Sequence, residues 1–173
     1  YFRAVYYFKL SADLNNAEAM FQLGLIYNDD GFIDKDFRRS LNYFEKAVKL
    51  KNSKAMYFLG NIYFNGEGVE KDTLKALRYY ELAAINKNSD ALCKLGDMYY
   101  TGNGVEINFK RAYEFYEMAA NKNNFEAYLH LGDMYLNGNG LEYDIPSAIK
   151  SYQLSIKILH ENNYNFAKDS KSS

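Results

Sequence analysis

The stretch AMYFLGNIYFNGEGV, running from Ala55 to Val69, recurs along the chain at a fixed spacing and decides the fold. Its Leu59–Gly60 pair returns as Leu23–Gly24, Leu95–Gly96 and Leu131–Gly132, each 36 residues from the next. Ala19, Ala55, Ala91 and Ala127 stand four positions before the leucines, and Tyr27, Tyr63, Tyr99 and Tyr135 four positions after them. That spacing sets Ala, Leu and Tyr on one face of a helix, termed helix A, beside Met20, Met56, Leu92 and Tyr128. A glycine inside a helix costs about 1 kcal/mol relative to alanine. Four in register therefore imply a packing reason, and the expected one is close approach of a neighbouring helix backbone. A period of this size marks a stacked array in which each unit buries its apolar face only against its neighbours.

Outward from that stretch the punctuation repeats as well. Gly66-Glu67-Gly68-Val69, Gly102-Asn103-Gly104-Val105 and Gly138-Asn139-Gly140-Leu141 read as helix C-termini followed by tight turns. The first copy, Asp30-Gly31-Phe32-Ile33, has one displaced glycine and predicts a differently shaped loop. Asp36, Asp72, Asn108 and Asp144 then share one register position as N-caps of a second helix, helix B. Pro146 falls just inside the last of these, where its missing N–H costs little. In helix B, Ser40, Ala76, Ala112 and Ala148 lead to Phe44, Tyr80, Tyr116 and Tyr152 and on to Ala47, Ala83, Ala119 and Ser155. Small residues in such a stripe permit tight helix crossing. Asn16, Asn52, Asn88 and Asn124 close each unit and cap the next helix A.

The register predicts helix B of a partial repeat over 1–16, repeats over 17–52, 53–88, 89–124 and 125–160, and nine helices in all. Residues 161–173 are rich in Asn, Lys and Ser and read as a polar tail or linker. The chain opens at Tyr1 and joins the pattern mid-unit, so it is read as a fragment, with end faces open to self-association.

The bulk composition excludes several function classes. A formal charge of −1 over 173 residues gives no footprint for nucleic acid. One cysteine rules out an internal disulfide framework. No apolar run reaches the roughly 18–20 residues that span a bilayer. The Gly-x-Gly loops are not phosphate cradles, since no strand precedes them and no Gly-Lys-Ser/Thr follows.

The motif Ala-x-x-x-Leu-Gly-x-x-Tyr-x-x-Gly-x-Gly-Val, followed by Asp72, Lys75-Ala76, Tyr79-Tyr80 and Ala83-Ala84, resembles the Sel-one-like repeat. Tetratricopeptide repeats are the near relative, but have a period of about 34 residues and lack the Gly-x-Gly loop. The resemblance covers roughly residues 4–156. It implies an all-α, right-handed α/α superhelical solenoid of about four and a half 36-residue helix-turn-helix repeats. It also implies a non-enzymatic scaffold or adaptor without a cofactor, binding proteins or peptides through the concave helix A face. The family contexts are the adaptor of the endoplasmic-reticulum ubiquitin ligase that disposes of misfolded proteins, chitin-synthase activators, and bacterial signalling factors. The first implies the lumen or the membrane of the endoplasmic reticulum as compartment, and the cytoplasm is expected otherwise. A cysteine-rich branch is described as β-lactamase-like, and Cys93, standing alone, argues against membership.

Helix A positions that vary among otherwise matched copies are the candidates for partner binding: Phe58, Asn61, Phe64, Lys94, Asp97, Tyr100, His130 and Asp133. Clustered surface aromatics are typical interface anchors. Phe58, Phe64 and Tyr100 are accordingly read as exposed, and replacing Phe58 and Phe64 is expected to spare stability. Phe21, Tyr57, Cys93 and Leu129 are apolar in every copy and predict partial burial between repeats. Cys93, Asp97, His130 and Asp133 lie on neighbouring A helices, but no recognisable ligand spacing joins them. Cys93 is read as a small hydrophobe, with no metal and no nucleophile expected.

Overall fold

Seven of the described helices begin where the sequence supplies an Asn or Asp to accept a first free amide. The computed structural model describes residues 2–29 and 35–169, so the Asp30–Ile33 loop lies outside the described residues. Nine helices are found among the described residues, and no strand. They are α1 (Phe2–Asp13), α2 (Ala17–Asn28), α3 (Phe37–Lys49), α4 (Ser53–Asn65), α5 (Thr73–Ile85), α6 (Ser89–Thr101), α7 (Phe109–Ala120), α8 (Phe125–Asn137) and α9 (Ile145–Asp169). Helix A of each repeat is α2, α4, α6 or α8, and helix B is α3, α5, α7 or α9. No described helix is long and apolar enough to cross a membrane.

Seven of the predicted caps are described, and they form as the register predicts. Asn16, Asn52 and Asn124 Oδ1 accept from the amides of Ala19, Ala55 and Ala127 at 3.0, 2.9 and 3.0 Å. Asp36, Asp72, Asn108 and Asp144 do the same for Arg39, Lys75, Arg111 and Ser147 at 3.0, 2.9, 3.0 and 3.3 Å. The B-helix caps also close the hairpins. Their own amides donate to the carbonyls of Tyr27, Tyr63, Tyr99 and Tyr135 at 2.8–3.0 Å. Between them, Gly66 ends α4 in the left-handed region at φ 77°, its amide donating to the Ile62 carbonyl. A Cβ on Gly68 would fall 2.5 Å from the Phe37 ring of the preceding repeat, so this turn must stay bare.

The chain divides into two compact units, residues 1–88 and 89–173. In the first, α2 pairs with α3 and α4 with α5, while α1 packs on α2 and α3 on α4. Its core is built on Leu23, Phe44, Ala47, Ala55, Leu59 and Ile62, with Phe21 and Met20 beside them. In the second, α6 pairs with α7, α8 with α9, and α7 packs on α8. Leu92, Leu95, Met98, Ala112, Tyr116 and Met134 are buried there.

Aromatic layers recur along the A–B seams. Tyr27–Tyr43, Tyr63–Tyr79 and Tyr99–Phe115 stack with centroids 5.8, 5.7 and 5.6 Å apart. A cation covers each outer ring: Arg39 over Tyr27, Lys75 over Tyr63 and Arg111 over Tyr99, at 5.5, 3.9 and 5.2 Å. The last repeat carries Ser147 and Ser151 at the matching positions. There Tyr135 instead meets Tyr113 of the repeat before, edge to face at 6.3 Å.

One element differs from its expectation. Helix α9 does not stop near His160 but runs to Asp169, so the segment read as a linker is helical over much of its length. The cause is local: no Gly or Pro interrupts residues 161–169, and Lys157 and Glu161 form an i,i+4 ion pair at 3.9 Å. Residues 170–173 lie outside the described residues.

The asparagine caps have a second use that explains why Asn rather than Ser or Asp stands there. Asn124 Oδ1 caps α8 while its Nδ2 donates to Asp90 on α6 at 2.8 Å. Asn52 likewise reaches back from α4 to Glu18 and the Ala17 carbonyl on α2, at 3.3 and 3.5 Å. Of these three, the amide alone accepts with one atom and donates with another at neutral pH. Asn124→Asp keeps the cap but sets a second carboxylate against Asp90, whose pKa burial already raises. A loss of about 1 kcal/mol is expected at neutral pH. It should shrink in acid as the pair takes up a proton, which urea denaturation at pH 7 and pH 4 would check.

Candidate functional site: the outward face of the A helices

The register glycines do not seat a helix backbone. They seat a ring. A Cβ built on Gly24, Gly60, Gly96 or Gly132 would lie 2.4–2.5 Å from the aromatic ring of Phe44, Tyr80, Tyr116 or Tyr152, from helix B of the same repeat. The ring lies flat across the helix where only glycine leaves room. Its para position then projects past the glycine to the residue that follows. Tyr80, Tyr116 and Tyr152 hydroxyls donate to Asn61, Asp97 and Asp133 at 2.8, 2.9 and 2.7 Å. In the first repeat the ring is Phe44, which has no hydroxyl, and the partner position is Leu25, packed against the apolar core. A polar residue follows the glycine wherever the ring has a hydroxyl, and an apolar residue where it does not.

This pairing revises the reading of the variable positions. Asn61, Asp97 and Asp133 vary with their own B-helix partners, so part of what resembled partner-specific variation is internal. In the first unit, Phe58 is half-buried rather than exposed. Its ring meets Phe21 edge-on at 5.3 Å and stacks on Phe44 at 5.9 Å. Phe64, also half-buried, tilts 6.4 Å from Tyr80, with the Lys71 ammonium 5.5 Å over its face. Tyr100, in the second unit, is half-buried too. It packs edge-on to Phe109 at 5.3 Å and accepts from Asn139 Nδ2 at 2.6 Å.

The second unit gathers the polar candidates around Asp97. The Lys94 ammonium lies 3.0 Å from Oδ2, while His130 Nε2 approaches Oδ1 at 3.2 Å. The His130 ring stacks on Tyr116 at 4.8 Å. Burial, then the Asp97 carboxylate, pushes the Tyr116 phenol well above its ordinary range. Tyr152, against Asp133, is raised to about 12 by burial and by that hydrogen bond. Asp133 is otherwise exposed and stands apart from the Asp97 group. Cys93 is fully buried and lies with Asp97 and His130, their ligating atoms all within 4.8 Å of one another. Burial, aided by Asp97 and Glu126, lifts its thiol far above the usual range, so it is no nucleophile as it stands. Of the constant apolar positions, Phe21 and Cys93 are buried, Tyr57 is half-buried and Leu129 is 39% exposed. Leu136 joins Leu129 on the open face of α8 at 43% exposure. Leu136 holds in the last repeat the position of Phe64 and Tyr100 in the two before it.

Four matched hairpins and a preceding B helix carry the full repeat pattern, and the Sel1 repeat matches residues 1–16, 17–52, 53–88, 89–124 and 125–157. The chain belongs to the Sel1 repeat family. A Sel1 repeat protein from Oxalobacter formigenes is similar at 33% identity and TM-score 0.84, over 88% of this chain and 62% of that one. A protective antigen of uropathogenic Escherichia coli, described as displaying an SLR fold, is similar at 29% identity and TM-score 0.84. That match takes in 88% of this chain and 33% of the antigen, so this chain spans less than two thirds of either relative. Helicobacter pylori cysteine rich protein B is similar at 30% identity and TM-score 0.58, over 72% of this chain and 90% of that one. No curated protein matches the chain. The Sel1 repeats thus assign this chain to an all-α repeat fold of the solenoid class.

Proposed function

We propose that the chain is a non-enzymatic interaction scaffold that holds a protein or peptide partner along the outward face of its A helices. The observation that carries this reading is the run of Sel1 repeats with that face left only half covered. In the first unit Phe58, Asn61 and Phe64 present their outer edges. In the second, Lys94, Asp97, Tyr100, His130 and Asp133 do so beside the exposed Leu129 and Leu136. Apolar side chains set among reachable charges suit a partner with its own hydrophobic anchors and a polar rim. Exposed Tyr6, Tyr7 and Leu10 on α1, and Ile149 and Ile156 on α9, support self-association through these helices. The finer roles rest on family resemblance alone: substrate recruitment to an endoplasmic-reticulum degradation ligase, or alternatively activation of a membrane enzyme such as a chitin synthase. A β-lactamase-like hydrolase has less support still, since the similar Helicobacter protein is described as cysteine rich and this chain has one cysteine.

The test compares two surface variants as baits in source cells. Leu129→Glu with Leu136→Glu alters the A face, whereas Lys110→Glu with Glu114→Lys alters exposed helix B positions. Proteins retained by the wild type and the B-face variant but lost with the A-face variant are the expected result. Equal recovery by all three baits overturns the assignment of the A face.

A further inference from the structure

Two equivalent nodes of the fold, 72 residues apart, are built from opposite chemistry. In the first unit the node is Phe21, Leu25, Phe44 and Phe58, a closed apolar cluster with ring centroids 5.3–5.9 Å apart. In the second unit the same four positions are Cys93, Asp97, Tyr116 and His130. The first node demonstrates that hydrophobic side chains alone can close this junction. Each of the four replacements introduces a polar or ligating atom instead, and three of them supply a thiol, a carboxylate and an imidazole.

We propose that Cys93 Sγ, Asp97 carboxylate oxygen and His130 Nε2 form a binding site for a zinc-class divalent cation. Cys93 and Asp97 are i and i+4 on α6, so their side chains lie one above the other on one face. His130, on α8, faces them across the junction between two successive repeats. Sulfur, imidazole and carboxylate together are the donors that tetrahedral zinc takes, with a fourth position open to water. The ligating atoms lie within 4.8 Å of one another. Side-chain rotation closing that spread by about 1 Å brings them to the spacing a tetrahedral ion demands. The outer partners are in place. Tyr116 donates to Asp97 at 2.9 Å and stacks on the His130 ring, fixing the orientation of both. The Lys94 ammonium and the His130 ring now face the Asp97 carboxylate. When the cation enters, His130 coordinates through the Nε2 lone pair with its proton on Nδ1, and the Cys93 thiol proton leaves to buffer as the metal–sulfur bond forms. Asp97 keeps its bond from Tyr116 and turns its other oxygen from Lys94 to the ion. Such a bond ties α6 to α8 across the repeat junction.

The experiment uses the full chain freed of metal with a chelator. One equivalent of Co2+ should produce a thiolate-to-cobalt charge-transfer band together with the visible bands of a tetrahedral ion, and Zn2+ should abolish both. Zn2+ should also raise the melting temperature. Cys93→Ala should remove the charge-transfer band. His130→Phe, which installs the first unit's own residue, should keep the fold by circular dichroism. It should weaken zinc binding by more than about 10-fold, the scale that even outer partners reach. His160→Gln, altering the exposed histidine of α9, should leave binding unchanged. A folded wild type that gives no charge-transfer band overturns the site. So does zinc affinity that survives intact in both Cys93→Ala and His130→Phe, since the ion would then be held elsewhere.

Discussion

Gly96→Ala is expected to destabilise the protein by about 2 kcal/mol, although alanine is the better helix former. Two effects of opposite sign compete at this position. Within α6 the substitution gains helix propensity of up to about 1 kcal/mol. Against that, the new methyl would sit 2.5–2.6 Å from two ring carbons of Tyr116. A flexible side chain could swing away, but this ring is pinned. It is 1% exposed, its hydroxyl is bonded to Asp97 and His130 stacks on its face. The clash therefore wins. The sharper consequence is a change of sign. With Tyr116 first replaced by Leu, the ring is gone and only the propensity term survives. Gly96→Ala should then stabilise that background by up to about 1 kcal/mol. Urea denaturation of the four proteins closes the cycle. An equal cost of Gly96→Ala with and without the ring would show that something other than Tyr116 requires the glycine.

That result would also mark where sequence reading stops. The caps and loops were legible because each uses chemistry confined to a few adjacent residues. An Asx side chain reaches an amide three positions on, and Gly66 takes a left-handed backbone at its own position. The seat of the glycines was legible only as a need for space. What fills it comes from 20 residues further on, and nothing local distinguishes a ring from a backbone. The same distance hid the pairing of Asn61, Asp97 and Asp133 with tyrosines 19 residues away. Set beside the Leu25–Phe44 exception, that pairing was recoverable from the four copies once positions were compared in pairs rather than singly. The left-handed residues that precede the Asn at the start of each helix A were not recoverable at all. Asn15 and Asn123 tolerate φ near 60°, but Lys51 and Lys87 adopt it as well, at 61° and 66°, with no sequence preference to announce it. Cys93, Asp97 and His130 were seen as neighbours. Their meeting depends on His130 occupying the position that Phe58 holds two copies earlier, which spacing alone does not convey.

The second large effect concerns that same position. Phe58→Ser should cost about 3 kcal/mol, whereas Phe64→Ser, six residues away on α4, should cost under about 1 kcal/mol. Both residues are half-buried aromatics on helix A, so exposure does not separate them. Their contacts do. Phe58 closes a triangle with Phe21 and Phe44, and Phe44 is fully buried at the centre of the first unit. Removing it opens a void beside two rings that belong to the preceding repeat. The damage falls on the seam between repeats, where an array holds its neighbours together. Phe64 instead tilts against Tyr80 and carries the Lys71 ammonium over its own ring, contacts whose loss solvent readily repairs. Its removal should therefore act on recognition more than on folding. Thermal melts of the two single variants decide between these roles, and similar melting temperatures would return Phe58 to the outward surface. If the expected difference appears, Phe64→Ser becomes the clean probe of partner binding in the first unit. A loss of capture by Phe58→Ser would then report a loosened seam rather than a missing contact.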